Sequence, residues 1–129
     1  MSVNLNALKQ YKSVGHTAAA QTASPHQLIV MLFDGALTAL ATAKGFIERK
    51  DIQGRSKQLN KASDIILGLR DFLDHEKGGE IAANLDALYD YMVRAISQAN
   101  RDSDADKVQE VINLLLEVRS GWVEMEKPA

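Results

Sequence analysis

Three histidines, seventeen acidic residues and one Gly-Gly pair are the groups in this sequence whose chemistry is worth testing first. A di-metal carboxylate site in a helical bundle needs Glu-x-x-His on two helices. The positions three residues before His16, His26 and His75 hold Ser13, Ala23 and Phe72, so that pattern is missing. His75-Glu76 is followed by Lys77-Gly78-Gly79, which lacks the second histidine of a zinc-protease helix. Gly78-Gly79 runs into Glu80-Ile81 and not into the Gly-Lys-Ser/Thr of a phosphate loop. No serine sits in a recognisable nucleophile elbow. There is no cysteine, hence no disulfide framework and no thiolate ligand or nucleophile. The expectation is a protein that is not an enzyme and uses no cofactor or metal.

A second group is basic. Arg49, Lys50, Arg55, Lys57 and Lys61 fall close together and suit phosphate contact. A solvated face, aided by the negative end of a helix dipole, accounts for them more simply. No aromatic side chain is interleaved among them, as a single-strand binder would require. With 17 acids against 15 bases the formal charge is −2, too balanced to announce nucleic acid or a membrane surface.

The elements that would position any site are helices. Aromatic residues make up only 5% of the chain, so the apolar content comes from Leu, Ile, Val and Ala and favours helix-on-helix packing over a sandwich. Pro25 and Pro128 are the two prolines, which leaves about 100 residues free of helix-breaking proline. The longest strictly apolar run, Leu28 to Phe33, ends at Asp34, far short of the roughly 20 residues of a membrane span. Lys9 and Lys12 interrupt the place of a signal-peptide core, so a cytoplasmic protein without membrane insertion is expected.

Ser24-Pro25-His26-Gln27 reads as a capping box with proline at the first helical position. The helix it opens carries Leu28, Ile29, Leu32, Phe33, Ala36, Leu37, Leu40, Ala43 and Ile47 to about Lys50. Asp51 caps a second helix to about His75, with Leu59, Ala62, Ile66, Leu69 and Leu73 as its stripe, widened by Ile65 and Phe72. Gly78-Gly79 should turn the chain. A third helix from Glu80 to near Asn100 has Ile81, Leu85, Leu88, Met92, Ile96 and Ala99 as its seam. The fourth starts around Ser103 and carries Val108, Val111, Ile112, Leu115, Val118, Trp122 and Met125. Short joints between such helices give an all-α, antiparallel up-down-up-down four-helix bundle over residues 24–129. Residues 1–23 form an N-terminal flap and linker. Leu5, Leu8 and Tyr11 mark a two-turn helix too short to persist unless docked.

Two stretches are distinctive together: Ala23-Ser24-Pro25-His26-Gln27-Leu28-Ile29 continuing through Leu32-Phe33-Asp34-Gly35-Ala36, and Leu73-Asp74-His75-Glu76-Lys77-Gly78-Gly79-Glu80-Ile81-Ala82 continuing through Leu88-Tyr89-Asp90-Tyr91-Met92. With Tyr11, Lys61-Ala62 and Trp122 they resemble, over essentially the whole chain, the FliS family of bacterial flagellar export chaperones for flagellin. The resemblance implies a cytosolic protein that binds the C-terminal segment of flagellin. It also implies that the client is kept unpolymerised and delivered to the flagellar type III export gate, with no nucleotide or metal. It implies a flap that lies over part of the binding groove and yields to the client.

The residues suit that role by helix-in-groove packing, in which a bundle offers an extra apolar strip to an amphipathic client helix. The candidates for client contact are Leu8 and Tyr11 in the flap, Asn84, Leu88 and Tyr91 on the third helix, and Leu114 and Leu116 on the fourth. Tyr89 reads better as core-edge packing. Leu114, Leu115 and Leu116 cannot all face one core line, although wide apolar stripes are ordinary in bundles. Other readings stay open: a regulatory bundle that switches partners or forms a weak homodimer through the same strip, a metal-binding bundle, and a nucleic-acid binder using the basic joint.

Overall fold

Capping chemistry sets where each helix begins. The computed structural model of the chain describes residues 23–125. Helix α1, Pro25–Glu48, starts at the expected capping box: Ser24 Oγ accepts from the Gln27 amide at 3.1 Å, and Gln27 Oε1 accepts from the Ser24 amide at 3.0 Å. Each later helix has an aspartate at the same task. Asp51 caps α2 (Ile52–Asp71), Asp74 caps α3 (His75–Asp102) and Asp104 caps α4 (Ala105–Glu124). Each accepts a backbone N–H three residues on, at 2.9–3.1 Å.

Side-chain bridges fix the directions of the helices. Lys44 donates to Gln109 at 2.6 Å and Arg119 to Asp34 at 2.7 Å, so α4 runs antiparallel to α1. Arg55 donates to Asn100 at 3.0 Å and Arg70 to Asp86 at 2.6 Å, so α3 runs antiparallel to α2. Each helix packs on its sequence neighbours, and α4 returns to α1 and closes the ring. The four helices form the expected up-down-up-down bundle. Its core is a single cluster centred on Phe33, Leu40, Leu59, Ile66, Met92, Ile96, Val108, Val111 and Leu115. The whole expected stripe of α2, Leu59 to Leu73, is buried, as is Ala23 just ahead of α1.

By length and composition alone α1 is apolar enough to cross a membrane. Here its residues Leu28, Ile29, Phe33, Ala36, Leu40 and Ala43 are buried inside the bundle. The expected flap, with Leu5, Leu8 and Tyr11, lies outside the described residues.

Two expectations are corrected. The second helix ends at Asp71, four residues early, because Phe72 and Leu73 turn inward as a buried joint and Asp74 caps a new helix at once. His75 to Gly78 then form a single turn, and the break falls at Gly79 (φ 50°, ψ −124°), a backbone conformation that glycine adopts without strain. The second correction concerns the α3 seam. Ile81 is 66% exposed, and Tyr89 is buried among the core residues instead. At the C-cap of α4, Met125 is likewise 53% exposed.

Candidate functional site

Those two exposed residues stand on opposite rims of one groove. It lies between the first turns of α3 after Gly79 and the last turns of α4, with a volume of about 270 Å³. Ile81, Leu85 and Tyr89 come from α3, and Glu117, Val118, Gly121, Trp122 and Met125 from the α4 side. Ile29 and Phe33 of α1, Leu69 of α2 and the Phe72-Leu73 joint complete the lining. Among these residues Glu117 is the one that carries a charge. From Ile81 to Tyr89 is eight positions, about 12 Å along a helix at 1.5 Å per residue, enough to receive roughly two turns of a partner helix. Sheltered apolar surface of this kind binds apolar side chains, since water gains by their removal.

Trp122 holds the end of the groove. Its indole stacks on the His26 ring, with centroids 4.7 Å apart and planes 11° from parallel. Its Nε1 donates to the His26 carbonyl at 3.2 Å. That carbonyl belongs to the first turn of α1, so the capping box at Ser24 and the position of the indole are one assembly.

Toward the other end of the bundle the α3–α4 seam is closed by polar groups. Tyr91 Oη donates to Glu110 Oε1, and Lys107 Nζ donates to Glu110 Oε2 at 3.1 Å. The Tyr91 hydrogen bond and then the Lys107 bond hold the Glu110 carboxyl below its ordinary range. The same Glu110 partnership pushes the Tyr91 hydroxyl up. Tyr89, whose hydroxyl is pushed up by burial, belongs to the groove's inner wall. On the α2–α3 side Arg70 donates to Asp86 at 2.6 and 3.2 Å and lies 3.5 Å from Asp90, which also meets Arg94 at 3.0 Å. The Arg70 hydrogen bond holds the Asp86 carboxyl low and raises the Arg70 guanidinium in turn.

Of the candidates read from the sequence, the five among the described residues do not line this groove. Leu88, Tyr91 and Leu114 are half-buried against the core, along the α3–α4 seam. Asn84 is exposed, and Leu116 is 48% exposed on the outer side of α4. Leu8 and Tyr11 lie outside the described residues. The groove is built from residues that the helical periodicity assigns to closed seams: Ile81, Leu85, Val118, Trp122 and Met125. Their spacing marks the right helix face, but periodicity does not report where two facing seams stop meeting.

The basic group is spread over the opposite end of the bundle. Arg55 is committed to Asn100 and to Ser103 Oγ, and Arg49 lies over the Phe46 ring, 4.9 Å from its centroid. An aromatic residue does therefore accompany the basic group, as an intrahelical partner of Arg49. Among the described residues no three His, Asp or Glu side chains converge as a metal site would need.

Four antiparallel helices with an apolar groove left open between two of them define an all-α bundle with an accessible apolar cleft. The chain belongs to the FliS family, a family of flagellar secretion chaperones: residues 7–129 match the family model described as flagellar protein FliS. It is 47% identical over 118 residues to the flagellar secretion chaperone FliSB of Pseudomonas aeruginosa, covering 92% of this chain and 94% of that one. It is 47% identical over 123 residues to the flagellar secretion chaperone FliS of Salmonella typhimurium, covering 95% and 91%. To the Bacillus subtilis flagellar secretion chaperone FliS it is 34% identical over 104 residues, covering 81% and 77%.

Proposed function

We propose that this chain holds the C-terminal segment of a flagellin in its α3–α4 groove in the bacterial cytosol. Holding it keeps the subunit from polymerising and presents it to the flagellar export gate. The observation that carries this reading is the groove itself, apolar along its length and rimmed by Ile81 and Met125 at 66% and 53% exposure. Large apolar side chains left in water beside a concave surface mark an interaction site. A segment that forms part of a helical core in a filament has too little apolar surface to bury alone, and a groove two turns long shields part of it. Leu88, Tyr91 and Leu114 extend the contact along the seam, with Asn84 and Leu116 on its flanks. The N-terminal segment, through Leu8 and Tyr11, covers part of the same groove in the free protein and yields to the client.

Titration calorimetry of the full chain with a flagellin C-terminal peptide tests this reading. One-to-one binding, with hydrogen-exchange protection over 81–89 and 117–125, is the expected result; absence of binding would overturn it. A variant lacking residues 1–20 should keep its helical circular dichroism, bind an apolar dye more strongly and take up the peptide more tightly. If that deletion changed neither dye binding nor affinity, the flap would have no part in the groove. A regulatory bundle that merely self-associates through the strip would shift to dimer in sedimentation and ignore the peptide.

A further inference from the structure

Three glycines of this bundle have a visible reason. At Gly54 an added Cβ would stand 2.6 Å from the Phe46 ring, and at Gly78 it would stand 2.8 Å from the Ala82 Cβ. Gly79 has a positive φ. Gly121 has none of these reasons. It lies inside α4 with helical geometry, and among the described residues nothing comes within 4 Å of where its Cβ would be. A glycine in a helix interior gives up about 1 kcal/mol of helix stability relative to alanine, and nothing in the bundle uses the space released here. The space opens into the groove, because Gly121 is one of its lining residues.

One turn earlier on the same helix face stands Glu117, the charged residue of the lining, which has no ion pair among the described residues. Two basic groups at this end of the bundle are already engaged, Arg70 with Asp86 and Arg119 with Asp34. Between residues 71 and 80 the chain adds Asp71, Asp74, Glu76 and Glu80 against Lys77. A cationic side chain entering the groove therefore meets an acidic surround, and an anionic one meets repulsion.

We propose that Gly121 and Glu117 together select what enters. The occupant is a helical segment of the client that lays a small residue (Gly, Ala or Ser) against Gly121 and sets a Lys or Arg beside Glu117. Missing side chains on both partners let the two helix axes approach closely, as ridges and grooves of packed helices require. This selection rule rests on the reading of the groove as the client's seat, and it adds which face and which charge of the client are read.

The experiment measures affinity of the full chain for a flagellin C-terminal peptide from the same bacterium, with melting temperature recorded for every variant. Gly121→Leu should fold with an unchanged or higher melting temperature and bind roughly tenfold or more weakly, the consequence of overfilling a packed contact. Gly121→Ala should fall between it and the parent. Glu117→Lys should bind about three- to fivefold more weakly and flatten the salt dependence, as expected for one partly exposed pair. Ser120→Lys, on the exposed side of the same helix, should leave affinity unchanged. Equal binding by the parent, Gly121→Leu and Glu117→Lys overturns the selection rule while leaving the client site standing. No binding by the parent overturns both. A Gly121→Leu chain that changes its sedimentation but not its peptide affinity would assign the space to a second copy of this chain and overturn the rule as well.

Discussion

The Trp122 indole lies against the His26 imidazole at 4.7 Å and donates to the His26 carbonyl, tying the last turn of α4 to the first turn of α1. The sole tryptophan of the chain thus belongs to the core and also lines the groove. Trp122→Ala should lower stability by about 3–5 kcal/mol, the range for truncating a buried large aromatic. Trp122→Phe keeps much of the packing and loses the hydrogen bond, at about 1 kcal/mol. Urea unfolding of both variants checks the order. Because there is one indole, its emission in the parent protein should shift when a flagellin peptide is added; an emission spectrum that ignores bound peptide would place the client elsewhere.

Ile81 separates binding from folding. It stands just after the Gly79 break, 66% exposed on the groove rim, and contributes little to the core. Ile81→Ser should change stability by no more than about 0.5 kcal/mol, as for other surface substitutions. Its client affinity should fall roughly tenfold, the usual effect of losing an apolar anchor at an interface. A melt and a titration on the same sample decide it. Loss of stability equal to the loss of affinity would make Ile81 a structural residue.

The bundle was legible in the sequence because capping and periodicity act locally. Ser24 to Gln27 form the capping box that their order suggests, and the stripe Leu59, Ala62, Ile66, Leu69 is buried along its length. The start of α3 was harder, since Asp74 caps as well as any residue and the Gly78-Gly79 pair reads as a stop. Both signals are used: Asp74 begins a turn and Gly79 breaks it. The groove was least legible. Ile81 and Met125 obey the same period as the buried Met92 and Leu115, and only the divergence of two seams in space exposes them. Gly121 and Glu117 carry no periodic signal at all.

Acid should weaken the bundle through two bridges. The Asp86 carboxyl is held below its ordinary 3.8 by the Arg70 hydrogen bond, and the Glu110 carboxyl below 4.5 by Tyr91 and then Lys107. In the unfolded chain both titrate at ordinary values, so at mildly acidic pH the unfolded state binds more protons than the folded one. Their contribution is therefore full above the ordinary carboxylate values and is lost as pH falls through the lowered folded ones. Melting temperature should drop between about pH 5 and pH 3, in the range where carboxylates protonate. The double variant Asp86→Asn, Glu110→Gln should show a shallower drop. The groups are exposed enough for salt to screen them, so the difference between the two proteins should shrink in about 1 M salt.

The backbone at the first joint gives the sharpest contrast between two neighbouring substitutions. Lys50 holds a left-handed conformation at φ 61°, which lets Asp51 N–H reach back to the Phe46 carbonyl at 2.9 Å and close α1. A residue with a Cβ is strained there and glycine is not, so Lys50→Gly should raise stability by about 1 kcal/mol. Four residues later the signs reverse. Gly54 lies in the first turn of α2, and a Cβ there would stand 2.6 Å from the rigid Phe46 ring. Gly54→Ala gains helix propensity but must displace that ring, so a net loss of about 1–3 kcal/mol is expected, the range for overpacking. If propensity governed this joint, thermal melts would show Gly54→Ala raising stability and Lys50→Gly lowering it. If conformation and packing govern it, the melts will show the reverse, and Phe46→Leu in the Gly54→Ala background should recover part of the loss by making room for the methyl group.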